Sequence, residues 1–188
     1  MTKCVLITGA SGNLGSKLAG PFAAEFDVRL TDIRPADGVA VVDLTQYDPK
    51  WGELFAGVDA IVHFGGEPSP YANWDRVQAA NVVGTANVLR AARQFGVTRV
   101  ALASSNHVMG GYRYIKQTVS SQSAPMPLNP YAVSKLIGEE MGRAFAAETG
   151  GDFLACRIGN IPRGDNPPGK HLGAGTWWQE MWLSNRDF

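Results

Sequence analysis

Residues 3–15 read Lys3-Cys4-Val5-Leu6-Ile7-Thr8-Gly9-Ala10-Ser11-Gly12-Asn13-Leu14-Gly15, and the fold is decided here. A short β-rich run from Lys3 to Thr8 stops at Gly9, and Leu14, Leu18, Phe22 and Phe26 then recur every four residues, as on one face of a helix. The unit is strand, glycine turn, helix. Its GxxGxxG spacing places three glycines where backbone amides and the positive end of a helix dipole hold a pyrophosphate. Glycine there permits the tight turn, close approach of backbone to phosphate, and close packing of helix on sheet, each of which a β-carbon obstructs. Gly9, Gly12, Asn13, Leu14 and Gly15 are the candidate pyrophosphate residues, the alternative being glycines that merely make a turn. Gly20-Pro21 inside the helical pattern predicts a kink or early break, since proline removes a backbone donor.

Beyond this unit, Val28 to Asp32, Val39 to Val42, Asp59 to Phe64, Val97 to Ala103 and Phe153 to Ile158 read as five further strands. Helical patterns lie between them: a stretch with Trp51, Leu54 and Phe55, the long run Trp74 to Phe95, and Pro130 to Thr149. Strands alternating with helices define an α/β chain with a Rossmann-type doubly wound parallel sheet and helices on both faces, because each crossover must pass over a sheet face. Residues 1–160 form that nucleotide-binding domain. Residues 161–188, rich in Pro, Gly and Trp without clean periodicity, read as a partial substrate-side flap. Ser184 followed three residues later by Asp187 looks like a helix start with nothing after it, so either the chain is naturally short or it is a truncated portion of a longer one.

Seventeen Lys plus Arg balance 17 Asp plus Glu. Zero net charge argues against a nucleic-acid arm or a polybasic membrane patch, both of which need a positive excess, and points to a small-molecule partner. The apolar run Cys4 to Ile7 is too short for a signal peptide, and no stretch reaches the roughly 18 apolar residues of a membrane span. A soluble, cytoplasmic protein is expected. Cys4 and Cys156 both fall in strands, which predicts buried free thiols and no metal site.

Asp32 ends the second strand 17 residues after Gly15, where a carboxylate accepts bonds from both adenosine ribose hydroxyls and repels a 2′-phosphate, favouring NAD over NADP. Arg34 either serves a 2′-phosphate or is a solvated loop arginine. Asp43-Leu44 lies either at the adenine edge or at a plain turn cap. Tyr131 and Lys135, four apart at the start of a helix, share a face. A tyrosine titrates near about 10, and an adjacent ammonium together with an oxidised nicotinamide lowers that value towards one suited to removing a hydroxyl proton. A plain amphipathic surface is the alternative. Ser104-Ser105-Asn106 closes the fifth strand, at the carboxyl edge where open α/β sheets bind ligands.

TGASGNLG, the Asp32 strand end, HFGG at 63–66, NVVGT at 81–85, ASSN at 103–106 and YAVSK at 131–135 together resemble the extended short-chain dehydrogenase/reductase family, also described as the NAD-dependent epimerase/dehydratase family. The resemblance covers nearly the whole chain. It implies Ser105, Tyr131 and Lys135 as catalytic residues, with NAD held by the glycine turn, Asp32, Asp43, Leu44, Gly65, Tyr131 and Lys135. Within the family, Ser104-Ser105-Asn106-His107 and the closing Asp187-Phe188 most resemble uronate dehydrogenases, which oxidise C1 of a cyclic hexuronate to a lactone. That likeness makes Ser69, Ser105, Asn106, His107 and Asn160 substrate contacts. The sequence departs from it at Glu67, which repels an anion if it faces inward, and at Asn160, which resembles the RxxN loop of sugar-nucleotide epimerases. The positive charge for a substrate carboxylate moves to Arg163, Lys170 or His171.

The expected function is NAD-dependent oxidation of a hexuronate. The alternatives are a nucleotide-sugar epimerase/dehydratase or a non-catalytic NAD-binding sensor. His63 is read as a structural histidine, His107 as a substrate contact or a loop residue, and Asn81 as an anchor for the lysine or a helix-surface amide. Trp177, Trp178 and Trp182 are read as flap packing before sugar walls. Family members commonly dimerise through the two long helices, and Val77, Val88, Leu136 and Met141 are the candidate contacts for a homodimer.

Overall fold

β1 (Cys4–Thr8) is buried at all five positions, the pattern of a central strand covered on both faces. The computed structural model describes residues 2–166 and 181–188. In it β1 pairs in parallel with β2 (Asp27–Asp32) on one side and β4 (Ala60–His63) on the other. β3 (Val39–Val41) lies outside β2, while β5 (Arg99–Ser105) and β6 (Asp152–Ile158) lie outside β4. The described residues thus form one six-stranded parallel sheet in the order β3-β2-β1-β4-β5-β6. The strand order turns back between β1 and β4, and ligands of such sheets bind outside the carboxyl ends of the strands at that switch.

Alternation along β1 sorts the core. Cys4 and Leu6 join Phe55, Ile61, Val88, Val97 and Phe145 on one face. Val5 and Ile7 meet Leu18, Phe22 and Phe26 on the other. Those last three belong to, or directly follow, α1 (Asn13–Ala23), which runs through Pro21 and ends two residues later. The expected early break does not occur, because proline in the last turn costs only one backbone bond while Phe22 and Phe26 stay packed on the sheet.

α2 (Pro49–Gly52), continued by a 3-10 turn at Glu53–Phe55, follows β3. The long helical run between β4 and β5 is not uniform: α3 (Trp74–Val77) passes into a π-helical turn, Gln78–Val83, and then α4 (Gly84–Gln94). A 3-10 turn at Asn106–Met109 and the short α5 (Tyr112–Ile115) follow β5, and α6 (Pro130–Thr149) has the bounds read from the sequence. Val77 and Val88 are fully buried inside the subunit, which corrects these two of the dimer contacts read from the sequence, while Leu136 and Met141 are partly exposed.

Cys4 and Cys156 are free thiols, and burial raises the pKa of each. Among the described residues no group of three or more His, Cys, Asp or Glu is arranged to hold a metal, and no helix is long and apolar enough to cross a membrane. Beyond β6, Asn160 bridges to Trp182 and Phe188 stacks on Phe64 at 5.8 Å between centroids. Ser184 Oγ accepts from Asp187 N (3.1 Å), the N-cap bond that its spacing implied, and donates to Asp187 Oδ2 (2.5 Å). Trp182 Nε1 donates to Asn166 Oδ1 (2.9 Å), a packing role. Lys170, His171, Trp177 and Trp178 lie outside the described residues.

Candidate active site

The chain leaves β1 through Gly9, whose φ of +69° suits glycine. A β-carbon there would stand 2.6 Å from Gly65 N, so the turns after β1 and β4 touch backbone to backbone. A β-carbon on Gly15 would lie 2.3 Å from Gly9 O, which lets α1 pack directly on the turn it leaves. Gly12 begins α1 with extended backbone and no side-chain cap, leaving the first amides of the helix to the cavity in front of them. That cavity, about 690 Å³, is walled by Gly9, Gly12, Asn13 and Leu14 at one end. Asp32, 7% exposed, closes β2 beside them and accepts from Ser11 N (3.0 Å) and Arg34 N (2.9 Å). Arg34, an exposed loop arginine, contacts Asp32 (3.4 Å) while lining the same cavity. Asp43, Leu44 and Gly65 also line the cavity; Asp43 Oδ1 caps Thr45 through its N (2.9 Å) and Oγ1 (2.7 Å).

At the other end stand Ser105, Asn106, His107, Tyr131 and Asn160. The two serines ending β5 separate by their partners. Ser104 Oγ donates to Glu139 Oε1 (2.5 Å), which also holds Arg157 (2.9 and 2.7 Å), so its hydroxyl is committed to a buried ion pair. Ser105 Oγ accepts from His107 N (3.2 Å) and donates to Asn106 Oδ1 (3.3 Å), on the same cavity wall as Tyr131. Asn129 caps Ala132 N (2.8 Å) with Pro130 behind it, fixing Tyr131 in the first turn of α6. Its ring meets His107 edge-on at 5.8 Å. Lys135, one turn on, is buried, donates to Ala103 O (2.9 Å) and lies 5.7 Å from the Tyr131 ring centroid. Burial brings Lys135 down to about 8. Burial also pushes the Tyr131 phenol above its ordinary value, nearby Ser105 opposes this, and the Glu67 charge adds to it. The lowering expected from the Tyr-Lys spacing is not realised in the protein alone, where desolvation dominates.

Glu67 is buried but does not line the cavity: Oε1 accepts from Ser69 N (2.9 Å) and Oε2 pairs with Arg76, which does. Ser69 itself serves the turn, its Oγ accepting from Tyr71 N (3.2 Å), and the wall at that loop is Pro68 and Pro70. Asn81, 2% exposed, is no surface amide. Its Oδ1 accepts from Glu67 N (2.8 Å) and its Nδ2 donates to Ser134 Oγ (2.9 Å), which in turn donates to Tyr131 O (2.7 Å). This tie between the β4 loop and α6 depends on the π turn around Asn81, which leaves no mark in the hydrophobic period. His63, also buried, contacts Thr8 Oγ1 (2.6 Å) and Thr85 Oγ1 (3.1 Å) and is pushed down to about 3. It stays neutral in the fold while the unfolded chain takes up a proton below pH 6.5. Lowering the pH from 6.5 to 4.5 therefore removes about 2–3 kcal/mol of stability. Chemical unfolding at the two pH values checks this, and His63→Gln should flatten the dependence. Two buried amides of cavity residues, Asn106 Nδ2 and Asn160 Nδ2, have no hydrogen-bond partner among the described residues.

The sequence model of the NAD dependent epimerase/dehydratase family matches residues 5–170. The chain belongs to that family. The NAD-dependent glucose-6-phosphate dehydrogenase of Haloferax volcanii is 33% identical over all of this chain and 78% of its own length. The uronate dehydrogenase of Pseudomonas syringae is 38% identical over 83% of this chain and 58% of its own. The crystal structure of uronate dehydrogenase from Agrobacterium tumefaciens superposes with a TM-score of 0.75 at 30% identity, over 85% of this chain and 62% of that one. This chain thus spans somewhat more than half the length of the uronate dehydrogenases it matches.

The family's NAD fits the residues present. The β-carbon-free turn and uncapped amides at Gly9–Gly15 suit a pyrophosphate, and the buried Asp32 carboxylate suits ribose hydroxyls. Of the residues read as cofactor contacts, Gly15 and Lys135 stand behind the wall, acting through packing and charge.

Proposed function

We propose that this protein is an NAD-dependent dehydrogenase oxidising C1 of a hexuronate to the lactone. The observation that carries the reading is that Ser105 and Tyr131, with buried Lys135 one turn behind the tyrosine, line the same cavity as the glycine turn and Asp32. NAD, when bound, supplies the hydride acceptor. Ser105 holds the C1 oxygen, and Tyr131 Oη takes its proton as the C1–H bonding pair leaves. Lys135 keeps positive charge beneath the phenol, favouring phenolate. Asn106 and Asn160 offer their unpartnered amides to sugar hydroxyls, and His107 braces Tyr131 while facing the same space. Ser69 enters only if its turn opens. A cytoplasmic homodimer acting on a small molecule is part of the same reading.

NADH absorbance after mixing protein and NAD with galacturonate, glucuronate, glucose 6-phosphate or neutral hexoses tests it. NADH formed with the hexuronates supports the assignment, and turnover confined to glucose 6-phosphate or neutral sugars refutes it. The unpartnered Asn160 amide favours a second reading, a nucleotide-sugar epimerase, in which NADH would not accumulate.

Glu67→Gln provides a test of the electrostatics. Its carboxylate disfavours the phenolate, so removing it lowers the Tyr131 pKa, and the freed Arg76 charge acts in the same direction. The rising limb of kcat/KM against pH should move to lower pH in the variant; a limb unmoved or shifted upward would contradict the coupling.

A further inference from the structure

The loop after β6 crosses the glycine turn and is tied to it from α1. Asn13 Nδ2 donates to Ile161 O (2.9 Å), and Lys17 Nζ, one helical turn later, donates to Gly164 O (2.7 Å). Asn185 Nδ2 adds a second bond to Gly164 O (3.1 Å), and the φ of +74° at Gly164 reverses the chain there. The backbone is therefore held on both sides of Arg163, and Arg163 lines the same cavity as Gly12, Asn13 and Leu14.

Charge pairing separates this residue from the other arginines of the wall. Arg34 is spent on Asp32 and Arg76 on Glu67. Arg163 has neither an ion pair nor a hydrogen bond among the described residues, and the ties from Asn13 and Lys17 hold its backbone beside α1, whose first turn walls the cavity that Arg163 lines. The first turn of α1 contains no side-chain cap, and the Lys17 ammonium is already engaged with Gly164 O. A pyrophosphate seated there meets two negative charges' worth of demand with only the partial positive charge of the helix end.

We propose that Arg163 binds the pyrophosphate of the dinucleotide, completing from the β6 loop the site that the glycine turn begins, and is not the cation for a substrate carboxylate. A planar guanidinium suits this task because it gives paired bonds to phosphate oxygens and keeps its charge at every working pH. The proposal rests on the family's NAD and not on the choice of sugar.

Calorimetric titration of the full chain with NAD and with ADP-ribose, which has the pyrophosphate but no nicotinamide, tests it without turnover. Arg163→Gln should raise Kd for both ligands about ten-fold, equivalent to about 1.4 kcal/mol. The ligand-free melting temperature should stay unchanged, because Arg163 has no partner to lose among the described residues. Arg163→Lys should recover most of the affinity, and Arg76→Gln, whose charge is paired, should leave ADP-ribose binding within about two-fold. An ADP-ribose Kd unchanged in Arg163→Gln overturns the proposal, most directly if KM for a hexuronate rises instead. An equal loss in Arg76→Gln also overturns it, since the effect would then be the general field of the cavity.

Discussion

Phenylalanine at position 131 is expected to lower kcat by about 10³-fold, the upper range for losing a positioned proton acceptor. NAD affinity should stay within about two-fold, since the variant keeps the ring that packs on Ala72 and Val77 and meets His107 edge-on. Only the hydroxyl is lost. Stability should change by no more than about 1 kcal/mol, the net worth of one hydrogen bond. Single-turnover NADH formation, calorimetric NAD titration and thermal melting together separate these effects. Turnover comparable to the parent would remove Tyr131 from the chemistry, and a parallel loss of NAD binding would recast it as a cofactor contact.

Methionine at position 135 is expected to give a protein that is both inactive and more stable. Lys135 is 8% exposed with a pKa near 8 against an ordinary 10.5. At about 1.4 kcal/mol per unit, keeping its ammonium buried costs about 3 kcal/mol. Below pH 8 that cost is present in full. Between pH 8 and 10.5 the unfolded chain holds the proton that the fold gives up, so this group makes stability rise with pH and the cost disappears. Methionine keeps the length of the side chain without the charge. After allowing about 1 kcal/mol for the lost bond to Ala103 O, a gain of about 2 kcal/mol remains at pH 7. Denaturant unfolding across pH 7 to 10.5 should show the variant's advantage shrinking as pH rises, with kcat down at least about 100-fold throughout. A less stable variant at pH 7 would mean that the buried ammonium is a structural support and not a cost borne for function.

Much of the cofactor end was legible in residues 3–15 and in Asp32, and the structure brings Gly9, Gly12, Asn13, Leu14, Asp32, Asp43, Leu44 and Gly65 to one cavity. The reactive end was legible in type but not in detail. Spacing placed Tyr131 over Lys135 and the resemblance named Ser105, yet what Ser104 does instead, bonding to the Glu139–Arg157 pair, only the structure shows. Glu67 read as a repulsive charge until Arg76 was found against it. Val77 and Val88 read equally well as outer contacts or core, because a helix period locates an apolar face without saying what covers it.

By itself the sequence determined the alternation of six strands with helices, the glycine turn, the ends of α6 and the capping of Ser184. All of these follow from backbone sterics, side-chain period and hydrogen bonds between residues within a few positions of one another, which are local properties. Only the tertiary structure decided the direction of the Tyr131 and Lys135 pKa shifts, the tie from Asn81 through Ser134 to Tyr131, and the placement of Arg163 over α1. Those depend on desolvation and on partners 50 to 150 residues apart, such as Asn81 with Ser134 or Asn13 with Ile161, which meet only when the sheet has formed.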